Sequence, residues 1–194
     1  MPNFETEFMK SMGPQVSNQL AGTLGIKKQT ANQIIPDVLP LILGGLKRQM
    51  ETRGGADRAN HILNKYGDAS VLDGIGDLFA AKAAEQDADP RLGGLLGDAG
   101  VNAAGTMANK LNLDQGTIMK AIVMLAPVVL GALSRKRDQG GMGSSGIAAL
   151  IDQNGDGSVL DDVAGFLLRG GGQSGTRGGG LLGGLLDRLS DSGR

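Results

Sequence analysis

Two stretches about 87 residues apart follow one pattern: Pro40-Leu-Ile-Leu43-Gly44-Gly-Leu46 and Pro127-Val-Val-Leu130-Gly131-Ala-Leu133. Other positions fall into the same register. Leu24-Gly25-Ile26 aligns with Leu111-Asn112-Leu113, Thr30 with Thr117, Arg48 with Arg135 and Gly54 with Gly141. After a one-residue insertion, Asp68-Ala-Ser-Val-Leu-Asp73 aligns with Asp156-Gly-Ser-Val-Leu-Asp161. The shared Ser-Val-Leu-Asp and the matched Pro–Leu-Gly spacing argue against chance and read as a tandem duplication. Two copies do not make a solenoid, which needs three or more stacked units. A pair of helical units, each covering the other's apolar face, is the natural alternative.

Composition agrees with helices. The 194 residues are 40% hydrophobic but only 3% aromatic, without Trp and with one Tyr. A core of Leu, Ile, Val, Ala and Met follows, and the expected fold is an all-α multihelical bundle built from two duplicated units. The 34 Gly are far above ordinary usage, yet they cluster at joints and near the end. The net charge of −1 offers no general attraction for nucleic acid or an anionic membrane. With no Cys there are no disulfides, thiolate zinc sites or redox centres. The opening Met-Pro-Asn-Phe-Glu-Thr-Glu lacks the basic flank and apolar run of a secretory signal. The longest apolar run, Ala121–Leu133, is too short for a span of about 20 residues and reads as a buried helix. A soluble, cytoplasmic protein is expected.

Along the chain the pattern divides into an N-terminal helical segment (1–19), helical repeat 1 (20–88), a small-residue connector (89–106), helical repeat 2 with an acidic loop (107–170), and a Gly-rich linker with a Leu-rich tail (171–194). Phe4, Phe8, Met9 and Met12 predict a short helix, and Val16, Leu20 and Leu24 a second, ending at Gly25. A long helical pattern over 26–52 contains Pro36 and Pro40, which predict a break or kink because proline removes a donor and clashes with the preceding turn. Helices over 56–65 and 70–83 follow, and the 91–105 connector is expected to be helical in part.

The stretch that reads as chemistry is Asp152-Gln-Asn-Gly-Asp-Gly-Ser-Val-Leu-Asp-Asp162. Asp152, Asn154 and Asp156 match positions one, three and five of a calcium loop, Gly157 the sharp turn at six, and Ser158 the carbonyl at seven. Position twelve is Val163 rather than Glu, and Asp161 and Asp162 stand just before it. A calcium site closed by a different carboxylate and a metal-free acidic turn both stand as readings. Ser158 and Asp161 have a structural reason of their own, since Ser-x-x-Asp is a capping box, repeated as Ser70-x-x-Asp73. Asp152, Asn154 and Gly157 do not, because their counterparts are Asn64, Tyr66 and Ala69. Calcium is the one cofactor expected.

Beyond the Gly-rich run at 169–180 come Leu181, Leu182, Leu185, Leu186 and Leu189. Leucines on a tether can fold back on the body or dock on another molecule. They are the candidate partner-binding residues, for a protein partner or for self-association.

A catalytic set does not emerge. His61 is the only histidine, without Cys to share a zinc site or a nucleophile beside it, and a helical surface His explains it. There is no Gly-x-x-x-x-Gly-Lys-Ser/Thr loop, and Gly74-x-Gly76 lacks its third glycine. A non-enzymatic chain is expected. The alternative is a DNA-associated regulator. Residues 24–35 have the Leu-Gly and Thr-Ala spacing of a helix-turn-helix, with Lys27 and Lys28 placed for phosphate. The acidity of the chain favours instead an ordinary helix start. Arg135-Lys136-Arg137 suits a helix C-terminus. Met107, Met119 and Met124 suit core packing.

The run Leu125-Ala-Pro-Val-Val-Leu-Gly-Ala-Leu133, the acidic loop at 152–162 and the Gly-rich tail together resemble the bacterial DUF937 family, related to the YidB-like proteins. The resemblance covers about residues 20–190 and is clearest in the second copy. It implies an all-helical bacterial protein and no activity, since the family is known as one of unknown function.

Overall fold

Leu24-Gly25-Ile26 and Leu111-Asn112-Leu113 end their helices by the same turn. Gly25 (φ 66°) and Asn112 (φ 51°) both adopt the left-handed conformation. The N–H groups of Ile26 and Leu113 then reach back to the carbonyls of Ala21 and Ala108, at 3.1 and 3.0 Å. This closure satisfies helix-end carbonyls and reverses the chain. The computed structural model describes residues 4–85 and 89–140, with Gly146. Among them it contains seven α-helices, two short 3-10 turns and no strand. The expected all-α multihelical bundle is therefore what is found.

The helices are α1 (Phe4–Ser11), α2 (Gly13–Leu24), α3 (Lys28–Arg53), α4 (Gly55–Tyr66), α5 (Ile75–Ala84), α6 (Asp98–Leu111) and α7 (Gln115–Gln139). The 3-10 turns are Ala69–Leu72, between α4 and α5, and Leu92–Gly94, before α6. The long helices α3 and α7 touch each other at the centre. The shorter helices wrap them, α2 and α4 on α3, and α6, α4 and α5 on α7. The core is aliphatic: Ile34, Ile35, Leu39, Ile42 and Leu46 from α3 meet Ile118, Ile122, Met124, Val128 and Leu133 from α7, all buried. Each such side chain contributes roughly 1.5–3 kcal/mol by leaving water.

α3 differs from expectation. It runs unbroken through Pro36 and Pro40, as α7 runs through Pro127. Each proline leaves one carbonyl of the preceding turn without its helical donor. Pro36 is exposed and Pro40 half-buried, so water can reach the freed carbonyls, and burial of the surrounding aliphatic face holds the helix together. The expected 70–83 helix also differs. It is split at Gly74 (φ −129°, ψ 42°) into the Ala69–Leu72 turn and α5.

α7 is long and apolar enough to cross a membrane by length and composition, but 72% of its apolar window is buried inside the bundle. That burial makes it a core helix, as its apolar run predicts. Charged side chains tie the outer elements to it. Arg137 Nη1 donates to Asn64 Oδ1 at 2.8 Å, and Lys136 pairs with Glu7. Lys110 joins α6 to α3 through Asp37 at 3.0 Å. Such exposed pairs orient elements more than they stabilise them.

Candidate functional site

The C-terminal half of α7 carries a small-residue face, Gly131 and Ser134, on which the chain between α4 and α5 lies almost backbone to backbone. A Cβ added at Gly131 would stand 2.8 Å from the Asp68 carbonyl oxygen, and one at Gly67 would stand 2.7 Å from that of Leu130. The turn is set by Asp68, the N-cap, whose Oδ1 accepts from the Ser70 N–H at 2.8 Å. The Ser70 backbone and hydroxyl bonds hold the Asp68 carboxyl below the usual aspartate range. Arg135 then clamps the turn, its Nη2 donating to the Ala69 carbonyl (3.4 Å) and to Asp73 Oδ1 (3.2 Å). The Ser70-x-x-Asp73 capping box is thus not formed. Ser70 sits inside the turn, Asp68 takes the cap, and Asp73 is drawn away by the guanidinium.

Beside this clamp, α1, packed on α2 and α3 and tied to α7 through Glu7 and Lys136, borders a groove of about 660 Å³. Its apolar lining comes from Phe4, Phe8, Met12 and Leu72, and Arg135 and Lys136 line it together with their ion-pair partners Asp73 and Glu7. Phe4 and Phe8, with ring centroids 6.0 Å apart, are buried, which fixes α1 as the wall. Gln139, the last residue of α7, also lines the groove.

A second depression of about 270 Å³ opens between α4, the Leu92–Gly94 turn and α7. Ile62, Leu95, Val123, Pro127 and Leu130 line it. Tyr66 stands at its edge, 54% exposed, with the Lys65 ammonium 5.1 Å from its ring centroid. The turn that forms one wall is held by α3: Gln49 Nε2 donates to the Gly94 carbonyl and Arg48 Nη2 to that of Leu95, both at 2.9 Å.

The residues singled out for chemistry are not among those described. The metal-loop set Asp152, Asn154, Asp156, Ser158, Asp161 and Asp162 falls outside the described residues, as do Leu181, Leu182, Leu185, Leu186 and Leu189 and the 169–180 run. Among the described residues no group of three or more His, Cys, Asp or Glu side chains is placed to hold a metal ion. His61 is exposed on α4. Met107 and Met124 are buried and Met119 half-buried, as core packing requires. Residues 24–35 do form a helix, a left-handed turn and a second helix. Lys27, Lys28, Gln29, Asn32 and Gln33 are exposed there, and Ala31, Ile34 and Ile35 are buried.

Neither groove was anticipated. The available signal for the larger one was the placement of two of the four Phe in the chain four apart on a short N-terminal helix. In so aromatic-poor a chain, that pair marks a docking face.

Comparison with known proteins gives one result. The family described as "Bacterial protein of unknown function (DUF937)" matches residues 7–136 and again 95–191, and the chain belongs to that family. No curated protein and no solved structure matches it.

Proposed function

We propose that this member of the DUF937 family is a non-enzymatic interaction and assembly module. In this reading two copies of one helical unit build the body, and the Leu-rich tail at 181–189 makes the contacts. The duplication is supported by matching helix ends about 87 residues apart: left-handed closures at Gly25 and Asn112, and extended N-caps at Lys27 and Asp114. The observation that carries the interaction reading is the groove beside α7. It is lined by Phe4, Phe8, Met12 and Leu72 beside two ion pairs, Arg135 with Asp73 and Lys136 with Glu7, and by Gln139, beyond which the chain continues to the tail. Such a surface suits an apolar peptide segment better than bond-making chemistry. Size-exclusion chromatography with light scattering tests it. Concentrated full-length chain should run as a larger species than a chain ending at Gly170, and identical monomer profiles would overturn the reading.

The acidic loop at 152–162 is proposed as a calcium site. Asp152, Asn154 and Asp156 would supply side-chain oxygens, Ser158 its carbonyl, and Asp161 or Asp162 the closing carboxylate. Titration calorimetry with calcium on wild type and Asp152→Ala decides this, and no binding heat in the wild type removes the site.

The exposed polar start of α3 behind a left-handed turn supports a second reading, DNA association through residues 24–35. A salt-dependent shift of duplex DNA, lost on Lys27→Glu with Lys28→Glu, is its expected signature.

A further inference from the structure

The turn before α6 has the sequence Leu92-Gly-Gly-Leu-Leu96, and the tail repeats it without change as Leu182-Gly-Gly-Leu-Leu186. What the first occurrence does is visible. It lies on α3, giving the carbonyls of Gly94 and Leu95 to Gln49 and Arg48. Leu96, only 1% exposed, presses against Gly45, where an added Cβ would come within 2.6 Å of Leu96 Cδ2. The pentapeptide is recognised by two backbone carbonyls and buried leucine, so any segment of that sequence carries the same recognition elements.

The same register that relates Pro40 to Pro127 places Ala132, Arg135 and Lys136 of α7 at the positions of Gly45, Arg48 and Gln49. All three line the groove between α1 and α7. Arg135 and Lys136 are long cationic donors, with side chains 41% and 27% exposed. Both bonds of Arg135 to its acceptors among the described residues come from Nη2, while a guanidinium has further donors on Nη1 and Nε, and Lys136 is paired with Glu7. Ala132 carries the Cβ that Gly45 lacks, so leucine cannot approach α7 as closely as Leu96 approaches α3. The groove has a volume of about 660 Å³, and Phe4 and Phe8 of α1, with Met12 at the junction to α2, belong to its apolar lining.

We infer that the segment Leu181–Leu189 seats in the α1–α7 groove of its own chain, with Leu185 and Leu186 against its apolar lining and its backbone carbonyls facing Arg135 and Lys136. Where the chain leaves the body favours this occupant. Gln139 lines the groove, and the pentapeptide begins about forty residues later, a separation whose closure costs little more than that of a loop half as long. The inference rests on the reading of the tail as a contact element and names its seat.

The chain has no Cys, so paired cysteines report directly. In dilute full-length protein, Ser11→Cys with Ser190→Cys places one thiol at the groove and one at the tail. Asn32→Cys with Ser190→Cys is the control, since Asn32 is exposed outside the groove. The first pair should form an intramolecular disulfide about ten-fold faster than the second, from the raised local concentration. Leu185→Asp with Leu186→Asp should equalise the two rates. Equal rates without those changes, or an 11–190 disulfide that only joins two chains, would overturn the seat. Loss of larger species on truncation at Gly170 together with equal cross-linking would discard the seat and keep the contact role. Fast cross-linking of a chain that stays monomeric at every concentration would keep the seat and discard assembly.

Discussion

Gly67 and Gly22 show how differently the same substitution acts at two positions in one chain. Gly67 is buried where a Cβ would meet the Leu130 and Leu63 carbonyl oxygens at 2.7 and 2.8 Å. Backbone on both sides cannot yield cheaply. Gly67→Ala is expected to lower stability by about 1–3 kcal/mol in urea denaturation. Gly22 is exposed on α2 with nothing within 4 Å of an added Cβ. Gly22→Ala should raise stability by about 0.5–1 kcal/mol, the gain of a better helix former. If both variants shift the same way, the close approach at Gly67 is not what holds that turn. Asp68 gives a pH signature. Its bonds to Ser70 lower the folded-state pKa, so the folded state favours the charged form more than the unfolded chain does. The contribution is present above about pH 4 and fades as pH falls through the lowered value. Melting temperatures from pH 6 to pH 3 should therefore fall more for wild type than for Asp68→Asn, and parallel curves would rule the linkage out.

α3 and α7 continue through proline against local preference. Proline inside a helix costs about 3 kcal/mol, and α3 contains Pro36 and Pro40. Because Pro36 is exposed, Pro36→Ala removes that cost without opening a cavity. A gain of about 1–3 kcal/mol is expected from chemical denaturation, and no gain would mean that the helix is not continuous there. The Leu92–Gly94 turn shows the opposite case, an element held by its seat. Arg48→Met takes the donor from the Leu95 carbonyl and should cost about 1–3 kcal/mol. Amide exchange at residues 92–97 should accelerate before that of α3 itself.

Taken together, the helices make a body whose N-terminal and C-terminal elements clasp one another. The turn between α4 and α5 packs on α7, and the turn before α6 is gripped by α3. Each half closes on the central helix of the other, as expected of units too small to bury their own apolar faces. On this view a chain cut between α5 and α6 yields two pieces that do not fold apart. The sharp thermal transition of the intact chain would be missing from each piece and regained on mixing. A cooperative transition in either piece alone would show that the halves are independent.

Helical character, the apolar stretches of the two central helices and the helix end at Gly25 were legible in the order of residues, because apolar spacing and glycine turns are local properties of the chain. The path through Pro36 and Pro40, the transfer of the cap from Ser70 to Asp68, and the groove between α1 and α7 were not. The first and last depend on a partner distant along the chain, an aliphatic neighbour strong enough to override proline or a second helix that leaves a gap, whereas the cap turns on which of two nearby carboxylates takes the Ser70 N–H. Periodicity names the face a helix will bury, but packing alone chooses what lies against it.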